Sequence, residues 1–94
     1  MGTEISVDLS IVNARAPLRA LADVTLSGSD LQVTICRCAV FQKSGGPPWA
    51  NLPRLPVEKD GKKQFVPLVG LPRELRGRVL DAMLAEYRRK LGAR

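Results

Sequence analysis

The chain has 94 residues, of which 45% are hydrophobic and 26% charged, and it carries a formal net charge of +6 at pH 7. These values indicate one small globular domain with a modest core, and they argue against intrinsic disorder. No apolar run approaches the ~20 residues of a membrane-spanning helix, and the first residues lack the basic and apolar regions of a signal peptide, so we expect a cytoplasmic protein with no membrane partner.

Two strands are predicted at the start of the chain. Apolar and polar residues alternate over residues 4–13, which predicts a half-buried strand. A turn at residues 13–17 precedes a second strand over residues 18–27. The small side chains of Ala20 and Ala22 in the second strand leave room for something bulky, such as a packed helix.

A third strand, over residues 31–41, has an irregular pattern. Leu31, Val33 and Ile35 are expected on its core face, but in the second half of the strand the apolar residues occupy the alternate positions. A bulge near Arg37, or burial of the strand on both faces, would produce this slip.

The third strand also carries both cysteines of the chain, Cys36 and Cys38. On a regular strand a spacing of two residues puts both side chains on the same face. The chain has no histidine and no second cysteine pair, so a zinc site lacks ligands. We therefore expect free thiols and no bound metal.

The next part of the chain contains shorter strands and strong turn signals. A short strand is predicted over residues 49–52 and a last one over residues 64–69. Pro53 and Pro56 confine the chain between these strands to a sheet edge or an extended loop. The dipeptide Asp60-Gly61 is a strong hairpin-turn signal.

Residues 72–91 are the longest periodic segment and predict a helix. The apolar residues recur at spacings of three, four and five and cover half of the helix surface, which is typical of a core-facing stripe. Pro72 fits the first helical position and Gly92 fits the stop. Gly77 costs roughly 1 kcal/mol relative to alanine inside a helix, and a close contact with a strand or a partner would explain its presence.

These elements together predict an α+β fold. An antiparallel β-meander of about five strands forms one sheet, and a single C-terminal helix packs on it. All 94 residues belong to a single domain, with the strands within residues 4–69 and the helix at residues 72–91.

The excess positive charge lies in and before this helix. Residues 1–53 hold four basic and four acidic side chains, whereas residues 54–94 hold eleven basic and five acidic ones. A one-sided basic surface is typical of proteins that bind phosphate backbones. A solvated basic face that aids solubility explains the charge alone equally well.

Four of these basic residues lack an obvious helical partner: Arg73, Arg76, Arg88 and Arg89. Glu74 can pair with Arg78, and Glu86 with Lys90, at the i,i+4 spacing. The arginines at positions 73 and 76 fall in the apolar half of the first turn, from which they would reach past the sheet edge toward a partner subunit or a phosphate. The candidate nucleic-acid-binding residues are Arg73, Arg76, Arg78, Arg88 and Arg89 in the helix, with Arg54, Lys62 and Lys63 before it.

Two large aromatic side chains have a polar atom, Trp49 and Tyr87. Tyr87 lies in the middle of the apolar stripe, so we expect it in the core. For Trp49 we favour a core or dimer contact over stacking on an unpaired base. An aromatic content of 4% argues against a single-strand binder that depends on stacking.

The residues give no indication of an enzyme. The chain has no histidine for general-base catalysis, no spaced carboxylate pair in an apparent cleft, and no identifiable base beside either cysteine. We therefore expect no cofactor and no small-molecule substrate.

Four segments of the chain resemble motifs of one family. Residues 18–26 read LRALADVTL, residues 76–87 read RGRVLDAMLAEY, and Val12-Asn13 and Leu52-Pro53 fall in matching places. In this order and spacing they resemble the SpoVG (stage V sporulation protein G) family over about residues 5–91. The chain departs from the family pattern at Arg54, where the family usually has serine, and just before the helix, where a His-Pro and a run of Ser/Thr are missing.

The resemblance implies a small bacterial regulator. Members of the family form homodimers through their sheets and bind DNA and RNA, with contacts associated with the C-terminal helix and its approach. They modulate gene expression and are linked to septation and sporulation. The leading hypothesis is therefore a homodimeric nucleic-acid-binding (DNA and/or RNA) regulator. The alternative is an interaction factor of the cell-division or septation machinery without physiological nucleic-acid binding.

Overall fold

The computed structural model describes residues 2–13 and 17–92, so the predicted turn at residues 13–17 lies largely outside the described residues. The elements are β1 (Glu4–Ile11), β2 (Leu18–Ser27), β3 (Gln32–Phe41), β4 (Trp49–Asn51), β5 (Arg54–Lys59), β6 (Lys62–Pro67) and the helix α1 (Arg73–Gly92). The predicted α+β fold is confirmed. Its strands divide into an antiparallel sheet of order β1-β2-β3-β4 and a separate β5-β6 hairpin.

The core lies between one face of the four-stranded sheet and the helix. Val79, Met83 and Tyr87 are the buried residues of α1, and they recur every four residues along one side. They belong to the same buried cluster as Ala20 and Ala22 of β2, whose small side chains let the helix approach the sheet. Burying a side chain of this size contributes roughly 1.5–3 kcal/mol, so the helix and the sheet depend on each other.

A β-bulge interrupts the pairing of β2 with β3, which is the first of the two explanations that the irregular sequence pattern left open. Val24 faces Ile35 and Ala22 faces Cys38, which leaves two residues of β3 opposite the single residue Asp23. One of these two, Arg37, has a left-handed backbone with φ of 63°. The bulge turns the second half of β3 over, so that its alternate positions enter the core.

The expectation that the two cysteines share a face is wrong. Cys36 is exposed and Cys38 is buried. The physical reason is the bulge, which inserts one extra residue into β3. Two side chains that would point to the same face of a regular strand therefore point to opposite faces.

The β5-β6 hairpin is built around the predicted turn. Asp60 and Gly61 have φ values of 53° and 75°, and Lys59 pairs with Lys62 on either side of them. Two positive φ values in a two-residue loop define the turn that suits the twist of a hairpin. Pro56 is tolerated in β5 because both strands of a two-stranded ribbon are edges.

Both ends of the helix are attached to the sheet by hydrogen bonds. Near its start, Arg78 Nη2 donates to the carbonyl oxygen of Thr3 at 2.8 Å. Near its end, the hydroxyl of Tyr87 donates to Gln42 Oε1 at 2.8 Å. These two contacts fix the direction of the helix along the sheet, and Tyr87 is a core residue as expected.

Gly77 makes no close approach to another part of the chain. A Cβ atom built at this position meets no atom within 4 Å, so the expected contact with a strand is not made. An alanine therefore fits at this position in the single chain.

We predict that Gly77→Ala raises the free energy of unfolding by about 0.5–1 kcal/mol, because alanine has the better helix propensity. Thermal or urea unfolding measures the change. Gly61→Ala is the matched control: its φ of +75° strains any side chain, so this variant loses stability. A loss of stability in Gly77→Ala would contradict the open environment and indicate a partner at this position.

Candidate nucleic-acid interface

The eight predicted site residues are all exposed, but the fold does not bring them into one patch. They fall into three groups: the helix start (Arg73, Arg76, Arg78), the hairpin (Arg54, Lys62, Lys63) and the last turns of the helix (Arg88, Arg89). A rise of 1.5 Å per residue puts the first and third groups roughly 18 Å apart along the helix axis. A ligand that contacts all three must therefore be extended.

Two arginines at the helix start project into solvent. Arg76 lies seven residues before the fully buried Met83 and so points in nearly the same direction, yet its side chain is exposed, as is that of Arg73. The side of the first turn that carries Arg73 and Arg76 is therefore not covered by the sheet. Both guanidinium groups are available to an anion.

Arg78 does not make the expected pair with Glu74. Its guanidinium donates to the carbonyl of Thr3 instead, because this acceptor lies immediately before β1 within reach of the helix. Arg78 therefore has a structural role in holding α1 on the sheet, although its side chain is exposed.

The last turns of the helix contain a short ion pair on the surface. Glu86 is bound by Arg89 rather than by the expected Lys90, with Nη2–Oε2 at 2.6 Å and Nε–Oε1 at 2.7 Å. The side-chain hydrogen bond from Arg89 holds the pKa of Glu86 below its usual range. This bidentate geometry explains why the i,i+3 partner is preferred. Arg89 was expected to lack a helical partner, and this is wrong.

The hairpin carries cations at both ends. Lys62 and Lys63 are exposed beside the turn at the tip. At the base, the guanidinium of Arg54 lies 5.0 Å from the centroid of the Phe65 ring, a cation–π contact. With its amide oriented to satisfy both of its polar atoms, Asn51 also accepts a hydrogen bond from Arg54 Nη2 at 3.3 Å.

Sequence reasoning missed a cluster on the face of the sheet opposite the helix. The rings of Phe41 and Trp49 are stacked, with centroids 5.6 Å apart and planes 19° from parallel. Beside them, a small open pocket is lined by Phe41, Phe65, Arg37 and Arg54 among others. We call these five residues the aromatic corner. The signal for it was present, because Phe41 and Trp49 each adjoin a buried residue and must point the other way.

A larger apolar groove lies between the sheet and the start of the helix. Leu31, Val33, Leu68, Val69, Leu71 and Leu75 are among its lining residues. Leu31 and Val33 were expected in the core, but they are 69% and 42% exposed. They share the face of Ile35, and the reason for the difference is that the helix does not extend over them.

The backbone edge beside this groove is free. Strand β4 pairs only with residues 39–41 of β3, so among the described residues nothing pairs with the outer edge of residues 32–37. A free strand edge flanked by apolar side chains is a surface that favours another chain.

A second cavity lies between the end of the helix and the end of β3. Its polar lining includes Arg19, Gln42, Lys43 and Tyr87. Arg19 Nε donates to the Gln42 carbonyl at 3.3 Å, and Gln42 Nε2 donates to Gly46 O at 2.9 Å. Gln42 thus makes hydrogen bonds to Arg19, Gly46 and Tyr87, which hold the loop after β3 against the end of the helix. These polar groups account for the polar character of the cavity.

The two thiols differ in their chemistry. Burial, followed by the nearby Asp23 carboxylate and Cys36, raises the pKa of Cys38 from 9.0 to about 11. Its thiol donates weakly to Ile35 O at 3.6 Å. Within residues 2–13 and 17–92 no group of three Cys, Asp or Glu side chains comes together that could hold a metal ion.

In the described part of the chain, no helix is long and apolar enough to cross a membrane. Comparisons with protein-family models, with curated proteins and with solved structures found no match for this chain.

The raised pKa of Cys38 predicts a loss of stability at alkaline pH. The unfolded chain releases the Cys38 proton near pH 9, while the folded chain holds it to about pH 11. The stabilisation of the folded state that comes from the protonated thiol is therefore complete below pH 9 and is lost as pH rises to 11. Thermal unfolding from pH 8 to 11 measures it. Cys36→Ala should change the pH dependence only slightly, because Cys36 is the smallest of the three causes of the raised pKa, whereas Cys38→Ala should weaken it clearly. Identical slopes in all three proteins would contradict the assignment.

Proposed function

We propose that this chain is a homodimeric, cytoplasmic regulator of gene expression that binds nucleic acid, DNA or RNA, without enzymatic activity. The observation that carries the proposal is a set of exposed cations with no acidic partner within 4.0 Å among the described residues. They include Arg73 and Arg76 at the helix start and Lys62 and Lys63 on the hairpin, and also Arg54 at the hairpin base and Arg88 in the last turns of the helix.

Unpaired surface cations support phosphate binding for a physical reason. A pair such as Arg89 with Glu86 is already neutralised, whereas a free guanidinium or ammonium gains its interaction when a phosphate displaces counterions. The resemblance of residues 18–26 and 76–87 to the SpoVG family supports the same function, and it adds the proposed link to septation and sporulation.

The free edge of β3 and the apolar groove support the dimer. Antiparallel pairing of two β3 edges about a twofold axis would join two four-stranded sheets and cover Val33 and Leu68 of both copies. Such a dimer carries every basic group twice, which doubles the phosphate contacts.

A second candidate function is a protein-interaction factor of the division or septation machinery. The observation that favours it is the same groove, because an apolar surface beside a free strand edge also suits a different protein chain. In that case the exposed cations serve solubility, and the affinity for nucleic acid is negligible.

We predict a steep salt dependence of nucleic-acid binding. If a dimer contacts about six phosphates, log K on duplex DNA falls with log[salt] with a slope of roughly −5. The double variant Arg73→Gln/Arg76→Gln should weaken binding and reduce this slope by roughly 2–4. Fluorescence anisotropy with labelled duplex DNA, single-stranded DNA and RNA over a salt series measures both quantities.

Arg89→Gln is the matched control for this experiment, because Arg89 is already bound to Glu86. It should leave the slope unchanged. An absence of binding to all three ligands at low salt would contradict the proposed function and favour the protein-interaction candidate.

We predict a solution mass twice the 10.3 kDa of one chain. The double variant Val33→Ser/Leu68→Ser should shift the mass toward that of a single chain, since it removes apolar surface from the groove without changing charge. Light scattering after size exclusion measures the mass, and circular dichroism checks that the variant is folded. A single-chain mass for the unmodified protein would contradict the dimer.

A further inference from the structure

We propose that the aromatic corner binds single-stranded nucleic acid, with unpaired bases stacking on Trp49 and Phe41 and with Arg37 and Arg54 contacting phosphates. This inference rests on the proposed function and names the form of nucleic acid that the protein prefers. It differs from the sequence-based expectation, which placed Trp49 in a core or dimer contact.

The aromatic corner concentrates the flat apolar surface of the chain. The sequence holds one tryptophan, one tyrosine and two phenylalanines, and three of these four rings lie in the aromatic corner. Trp49 is 38% exposed and Phe65 is 61% exposed. A low aromatic content therefore does not exclude stacking, because nearly all of it is gathered at one place.

The stack of Phe41 and Trp49 is already formed in the free protein. The two rings are a cross-strand pair of β3 and β4, and their near-parallel planes are the arrangement that a base would extend. Because the rings are held on a sheet by the buried neighbours Val40 and Ala50, little side-chain entropy is lost when a base is added. Duplex bases have no free faces, so the surface suits unpaired bases.

The fold holds the backbone of Arg37 and the side chain of Arg54. Arg37 occupies the left-handed position of the bulge, and its backbone N–H lies 3.4 Å from Asp23 Oδ1. Arg54 is fixed by the Phe65 ring and by Asn51. A guanidinium can stack on a base or bind a phosphate through two hydrogen bonds, so both are suited to a nucleotide chain.

The distribution of charge around the aromatic corner favours one path for a bound strand over the surface. Asp8 and Asp23 face each other across β1 and β2 on the same open face, and these carboxylates repel a phosphate chain. On the other side the hairpin carries Lys62 and Lys63 at its tip. The favourable path therefore leads from the stacked rings toward the hairpin.

Charge also distinguishes nucleic acid from a second copy of this chain. The pocket of the aromatic corner is lined by two arginines and by no acidic side chain, although the Asp23 carboxylate contacts the backbone N–H of Arg37. A twofold contact would place this patch against itself and bring four arginines together, which is unfavourable. A ligand that is anionic and carries aromatic groups matches both the arginines and the rings of this patch.

The test compares a single-stranded oligothymidine of roughly 20 nucleotides with a duplex of the same length, both labelled for anisotropy. Phe41→Leu and Trp49→Leu should each weaken single-strand binding by roughly 5- to 150-fold, the range of base–aromatic stacking, and should leave duplex binding unchanged. Because stacking is not ionic, the salt slope should stay the same. Arg37→Asn, which tolerates the left-handed backbone, should lower affinity and reduce the slope.

Leu21→Ala is the matched control, because Leu21 is 42% exposed on the same open face but outside the aromatic corner, and it should change nothing. Trp49 is the only tryptophan, so single-stranded ligand should also quench the intrinsic fluorescence of the unmodified protein.

Three outcomes would overturn the inference. If the protein binds nucleic acid but the aromatic variants bind the single strand normally, the aromatic corner is not the site and the proposed function stands. If Trp49→Leu lowers the solution mass and the affinity loss follows that dissociation, a second copy covers the rings. If the unmodified protein binds neither ligand, the proposed function fails together with the inference.

Discussion

The packing of a single helix against one face of the sheet is the constraint on which the rest of the structure depends. Val79, Met83 and Tyr87 supply the helical side of the core, and Ala20 and Ala22 make the close approach possible. Within residues 2–13 and 17–92 one helix covers the sheet, so the second face of the sheet stays open. The helix also ends its coverage before residues 31–33 of β3, which leaves the apolar groove and the free edge beside it.

These uncovered surfaces have different chemistry, and this difference separates their proposed roles. The groove is apolar and adjoins unpaired backbone, which suits a protein chain. The aromatic corner combines flat rings with two arginines, and the helix start and the hairpin tip carry free cations, all of which suit nucleic acid. Under the proposed function, one small domain would hold its own copy at one surface and its nucleic-acid ligand at others, without competition between them.

Much of the fold follows from the sequence because it is encoded locally. The strand alternation, the Asp60-Gly61 turn and the helical stripe each depend on neighbouring residues, and even the bulge was visible as a change of phase near Arg37. The separation of the hairpin from the sheet depends on which edges pair, and no local pattern encodes it. The ion pair of Arg89 and the contact of Arg78 with Thr3 likewise depend on rotamers and on residues distant in sequence. The aromatic corner was missed because its residues come from four different strands.

The most direct measurement is a titration of the isotopically labelled protein with single-stranded oligonucleotide, followed through backbone amide chemical shifts. If the exposed cations and stacked rings form the binding surface, the largest shifts occur at the first turn of the helix, along the hairpin and at the aromatic corner. The buried positions beneath the helix then change little. Shifts confined to the apolar groove, or no shifts at all at low salt, would contradict the nucleic-acid-binding role.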